Sequence, residues 1–187
     1  MPVALTIKAE GFKEAEKALA GIKGGYPMVA AKAINRALIT GRKVVAQAIG
    51  ARYNIKSGDV KNKIDDKKAT KAHLGGELEL KGEMLPISLF KPSGGQTLKS
   101  GKRKPIKVAV RRNAPKEIRS AFRIPGGKIM ERRQDDRLPI FPVSTIGVPF
   151  MAGQTSVAEK VEKEMARTAA VRLAHETNQL LQREGFK

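Results

Sequence analysis

Apolar residues recur every three or four positions near the two ends of this chain and every second position between them. Ala30, Ile34, Leu38, Gly41, Val45 and Ala48 form one stripe, which predicts a helix from Met28 to about Tyr53. Pro27 suits its start, because the N–H that proline lacks would be unpaired there anyway. Ala30, Ala33, Ala37 and Gly41 would let a second element approach closely, and Asn35, Arg36, Arg42 and Lys43 lie off the stripe. Val157, Val161, Met165, Ala169, Leu173 and Leu180 predict another long helix. Ser156 and Glu159 stand at capping-box spacing at its start, and Gly185 closes it.

Between the two helices the period is two. Leu74, Leu78 and Leu80 alternate with other residues, as do Ile87 and Leu89 within Leu85–Phe90, and Ile106, Val108 and Val110. Phe122 with Ile124, Ile129, and Ile140 with Phe141 extend a run of short strands with turn signals between them. At the start of the chain, Val3, Leu5 and Ile7 predict a short strand broken by Gly11. Phe12, Ala15, Leu19 and Ile22 then predict a short helix ended by Gly24-Gly25. Ser57-Gly58-Asp59 offers capping oxygens for a short helix toward Ile64, and Asp65-Asp66-Lys67-Lys68 predicts a turn. Segregated helices and strands argue for an α+β fold. The expected form is one domain over residues 1–187, with a mostly antiparallel sheet of short strands packed against the two long helices.

A chain of 187 residues can bury roughly 70% of its unfolded surface, enough for a core without staples. Aromatic residues make up only 4%, so that core must be aliphatic. There is no cysteine, hence no disulfide, no thiolate metal ligand and no thiol nucleophile, which suits a reducing compartment. Met1–Glu10 lacks the charged start and apolar run of a signal peptide. The longest apolar stretch, Leu138–Ala152, is interrupted by Pro139, Pro142 and Pro149 and is too short to span a bilayer. The expectation is a soluble protein, cytoplasmic when made, with no membrane partner.

Charge narrows the partners. Thirty-seven Lys and Arg against 18 Asp and Glu give a net +19, which attracts polyanions. Residues 1–98 carry 17 basic and 9 acidic residues, residues 99–133 carry 13 and 2, and residues 134–187 carry 7 and 7. The middle 35 residues thus hold +11 of the +19. Lys99, Lys102, Arg103, Lys104, Lys107, Arg111, Arg112 and Lys116 are the candidate binding residues. Pro92-Ser93-Gly94-Gly95 and Pro125-Gly126-Gly127 flank them and suggest loops or hairpin ends. A self-repelling basic loop or arm over residues 91–120, ordered only on meeting an anion, is the expectation.

No catalytic or metal constellation assembles. His73 and His175 have no second ligand at metal spacing, and each reads as structural or solvent-facing. Asp65-Asp66 and Asp135-Asp136 could hold Mg²⁺ as paired acids do in nucleases. Neighbouring residues in a strand point to opposite faces, however, and basic neighbours such as Arg133 and Arg137 account for the charge locally. Gly95–Lys102 lacks the spacing of a phosphate loop and has Arg103 where Ser or Thr would hold Mg²⁺. The chain therefore reads as a non-enzyme without cofactor or metal. Two functional classes remain. One is non-specific nucleic-acid binding through residues 99–133, by phosphate contact, since Phe122 is the only aromatic there. The other is a structural protein of an assembly, in which a ring would gather the basic segments around a lumen.

Several short motifs occur in order: Ala33-Ile34-Asn35-Arg36-Ala37, Leu85-Pro86-Ile87, Ala121-Phe122-Arg123-Ile124, Ile129-Met130-Glu131-Arg132-Arg133, Arg137-Leu138-Pro139-Ile140 and Gly147-Val148-Pro149-Phe150. In this set the chain resembles the prophage minor tail protein Z family of long-tailed bacteriophages, from about Ala30 to Phe150 and more loosely into the last helix. The resemblance implies a non-enzymatic virion protein that completes the tail at its head-proximal end, joins tail to head and positions the genome end. It implies assembly in the bacterial host cytoplasm and self-association in a ring, sixfold by preference. The implied partners are tail-tube or tail-terminator proteins, neck or connector proteins, and phage DNA in the channel as a candidate. Arg132, Arg133 and Arg137 are then candidates for a subunit contact or for fixing strand-to-loop geometry.

Overall fold

The computed structural model describes residues 3–6, 12–96, 103–134 and 136–185. It is an α+β fold in which two long helices lie side by side and small antiparallel sheets gather against them. Strand β1 (Val3–Thr6) leads to α1 (Phe12–Ala18) and the long α2 (Gly25–Arg52). A short α3 (Ser57–Lys61) precedes β2 (Ile64–Lys67), β3 (Glu77–Leu80) and β4 (Leu85–Pro86). A 3-10 turn, Ile87–Phe90, follows. Then come β5 (Ile106–Val108), β6 (Lys116–Ile118), β7 (Ala121–Arg123), β8 (Ile129–Glu131), β9 (Phe141–Pro142) and β10 (Ser144–Thr145). The chain ends in α4 (Val148–Ala152) and α5 (Thr155–Arg183).

Helices α2 and α5 pack antiparallel. Val29 and Ala33, early in α2, share a cluster with Leu173 and Leu180, late in α5. Leu38 and Val45 meet Val157, Val161 and Met165. Every member of both predicted stripes is buried. The seam is tight at Gly41, where a Cβ atom would lie 2.8 Å from Met165 Cγ and 2.9 Å from Leu78 Cδ1. Lys32 and Glu176 pair across the helix seam at 3.1 Å. Off the stripe, Asn35 donates from Nδ2 to the Ala69 carbonyl (2.9 Å) and accepts from the Ala69 N–H (2.8 Å). Its amide thus satisfies both backbone groups of a residue that no strand pairs.

Four small sheets replace the single sheet expected. They are β1-β3-β2, β4-β10, β5-β6 and β7-β8-β9, all antiparallel. Strands of two to four residues carry too little pattern to fix which neighbour they pair with. Three local expectations also change. Asp65-Asp66-Lys67 is strand rather than turn, because Asp65 pairs with Lys81 at 3.1 Å and Asp66 with Arg42 at 3.3 Å while Ile64 enters the core. Beyond Pro86 the chain tightens into a 3-10 turn, which puts Ile87 and Phe90, three apart, on its buried side. The last helix starts one residue before Ser156, with Gln154 at its cap and no side-chain capping bond, so the capping box does not form. Similarly, Lys56 rather than Ser57 caps α3. Ile7, Gly11 and Asp135 lie outside the described residues.

Candidate functional site

The basic segment is held by strand pairing. Gly94 and Gly95 have φ of 86° and 79°, left-handed values that glycine accepts without strain. They fold residues 93–96 back along residues 104–107. Ser93 and Lys107 exchange backbone hydrogen bonds of 2.8 and 2.9 Å, and Gly95 N–H donates to the Lys104 carbonyl at 2.9 Å. Strands β5 and β6 continue the pairing, with Lys107 opposite Glu117 and Val108 opposite Lys116. Ile106 is fully buried and Val108 nearly so, while Lys107 between them is exposed. Within the described parts of residues 91–120, β5, β6 and the Ser93–Lys107 bridge are backbone-paired, and the residues between them are loop. Alternation lets β5 bury Ile106 and Val108 on one face and carry Lys107 on the other. Lys99 and Lys102 lie outside the described residues.

The remaining candidates separate into three groups. At Phe122, the Arg132 guanidinium lies 4.4 Å from the ring centroid and that of Arg103 lies 5.9 Å away. Arg132 Nε also donates to the Arg137 carbonyl at 3.3 Å. One aromatic ring thus joins the basic segment to the loop after β8 by cation–π attraction. On the same loop, Arg133 sits over Phe141 at 4.7 Å and donates from Nε to Glu131 Oε1 at 3.2 Å. Arg132 and Arg133 therefore fix the chain where β8 leaves its sheet, and Arg137 contributes its carbonyl.

A second group is open to solvent. Lys104, Arg111 and Lys116 are exposed, and among the described residues none forms an ion pair. Lys107 differs, since it lies 4.0 Å from Glu117, which also pairs with Arg119 at 3.4 Å.

Arg112 stands alone and is structural. Its Nε donates to the Gly50 carbonyl and its backbone N–H to the Arg52 carbonyl, both at 2.9 Å. Asn54 N–H donates to the Val110 carbonyl at 3.0 Å, and Tyr53 and Arg111 form a bridge beside it. The carbonyls at the end of α2 have no partner within the helix and carry partial negative charge, so a guanidinium there is doubly favourable. Sequence reasoning missed this cap because its donor lies 62 residues from its acceptor. Replacing Arg112 with alanine should lower stability by about 1 kcal/mol. In a domain of this size that is a fall in Tm of roughly 2–4 °C, measurable by circular dichroism. An unchanged Tm would show that the cap contributes nothing.

Elsewhere, both histidines are exposed. His73 lies in a turn in which its N–H donates to Thr70, and His175 is exposed on α5. Hydrogen bonding to the Lys63 ammonium holds the Glu83 carboxyl below the usual carboxylate range. Hydrogen bonds to Glu79 and Glu77 raise Lys67. Among the described residues, no three His, Asp or Glu side chains gather as a metal site, and no helix is long and apolar enough to cross a membrane. Comparison with protein-family models, with curated proteins and with solved structures finds no match to this chain.

Proposed function

We propose that this chain is a structural protein of a bacteriophage virion. It completes the tail at the head-proximal end, as a ring placed between tail-tube or terminator proteins and neck or connector proteins. What carries the proposal is the ordered set of motifs from Ala33 to Phe150, and their place in the fold supports it. Ala121–Arg123 and Ile129–Glu131 are the paired strands that bring Phe122 under Arg132. Val143 donates to the Ile129 carbonyl at 3.0 Å and accepts from Ile87 N–H at 2.9 Å, tying that sheet to the Leu85-Pro86-Ile87 motif. The motifs thus build the frame of the cationic face. In a ring, the +11 of residues 99–133 would add from copy to copy and act on DNA or on an acidic neighbour.

Co-sedimentation tests the proposal. A tagged copy is expressed during phage production, and the lysate is treated with nuclease and high salt. The protein should still sediment with tails, because neither treatment dissolves a packed joint. Release into the soluble fraction, with salt-sensitive DNA binding, would instead assign the cationic face to non-specific nucleic-acid binding.

A further inference from the structure

An apolar groove of about 510 Å³ opens between the β5–β6 pair and the segment running from β9 into α4. Its floor is Ile87, Val108 and Val143, all buried residues of the main core. Phe150 stands at its mouth. In α4 the four other residues, Val148, Pro149, Met151 and Ala152, are buried, yet Phe150 is 54% exposed. The core therefore clamps this short helix and holds one large ring out beside the groove. Groove volumes in this range bury a compact apolar ligand.

Charge decides the occupant. Arg111 and Lys116 stand on the rim. Glu117 is the one acid there, and Lys107 and Arg119 offset it. Two exposed cations beside an apolar lining complement an apolar segment flanked by carboxylates. We infer that the groove receives a segment of another protein, with one or two aliphatic or aromatic side chains flanked by Asp or Glu. The apolar side chains fill the groove beside Phe150, and the flanking carboxylates meet Arg111 and Lys116. This deepens the virion proposal and rests on it for the existence of a protein neighbour. It also separates the protein-docking surface from the cluster at Phe122.

The isolated protein suffices for the test, which is therefore independent of sedimentation with tails. The probe is a fluorescein-labelled twelve-residue peptide with a Leu-Phe centre flanked by Asp and Glu, read by anisotropy at physiological salt. One control carries Lys flanks and the other has Ser in place of Leu-Phe. The acidic apolar peptide should bind, and both controls should bind at least tenfold more weakly. Phe150→Ser should weaken binding at least tenfold with the circular dichroism spectrum unchanged. Lys116→Glu should reverse the preference between acidic and basic flanks. Equal binding of the Ser control would overturn the inference, since attraction would then follow charge alone. So would a Lys116→Glu variant with unaltered preference. A dimer in sedimentation equilibrium that Phe150→Ser abolishes would also overturn it, by placing a second copy in the groove.

Discussion

Gly41→Leu should destabilise the protein by about 3 kcal/mol, the upper part of the usual range for an overpacked core. The midpoint of urea unfolding reads this directly, provided the slope of the transition is unchanged. The cause is the tight fit at this point of the α2–α5 seam, where even a Cβ would come 2.8 Å from Met165 Cγ and 2.9 Å from Leu78 Cδ1. Gly41→Ala should cost much less. A mid-helix glycine is about 1 kcal/mol worse than alanine, and the unbranched Met165 can move its chain end. The contrast between the two substitutions therefore measures packing rather than helix propensity. Met165→Ala placed in the Gly41→Leu background should recover part of the loss, because it opens the space the leucine needs. A Gly41→Leu protein as stable as its parent would mean that the two helices do not approach at this residue.

The second large effect concerns the cationic face. Changing Arg103, Lys104, Arg111 and Lys116 together to glutamine should move the unfolding midpoint little, since it removes only the exposed Arg103 contact with Phe122, worth about 0.5–1 kcal/mol. Exposed charges without ion pairs contribute little to stability. Incorporation into tails should fall at least tenfold. Arg112 must be kept in this variant, since its loss would weaken α2 and confuse folding with assembly. If DNA is the partner, each cation touching a phosphate contributes about 0.9 to the slope of log affinity against log salt, so the variant should lose as much as about 3.6 of that slope. Normal incorporation together with an unchanged salt slope would show that these four cations are not the interface.

Helices α2 and α5 were readable because their apolar stripes run from Ala30 to Ala48 and from Val157 to Leu180, long enough for a 3.6-residue period to stand out. The stretch from Leu74 to Phe141 was readable as short strands but not as a particular set of pairings. Individual outcomes depend on distant partners. Asp65 and Asp66 lie in a strand because Lys81 and Arg42 neutralise them. Leu85-Pro86-Ile87-Ser88-Leu89-Phe90 alternates like a strand, yet burying both Ile87 and Phe90 favours a tighter turn. The site divides in the same way. The concentration of positive charge was plain in composition. The meeting of Arg103 and Arg132 over Phe122, and the docking of Arg112 on Gly50, arise only when segments far apart in sequence come together.

The joint between residues 110–112 and the end of α2 also determines how the molecule bears force. Three hydrogen bonds cross it: Asn54 N–H to the Val110 carbonyl, Arg112 N–H to the Arg52 carbonyl, and Arg112 Nε to the Gly50 carbonyl. The two segments run antiparallel at the Tyr53–Arg111 bridge. A pull along them loads these bonds together in shear, where a perpendicular pull would peel them one after another. Tension on the basic hairpin is thereby passed into a 28-residue helix packed along its length against another. The β5–β6 hairpin is thus tied to α2 by bonds that load together.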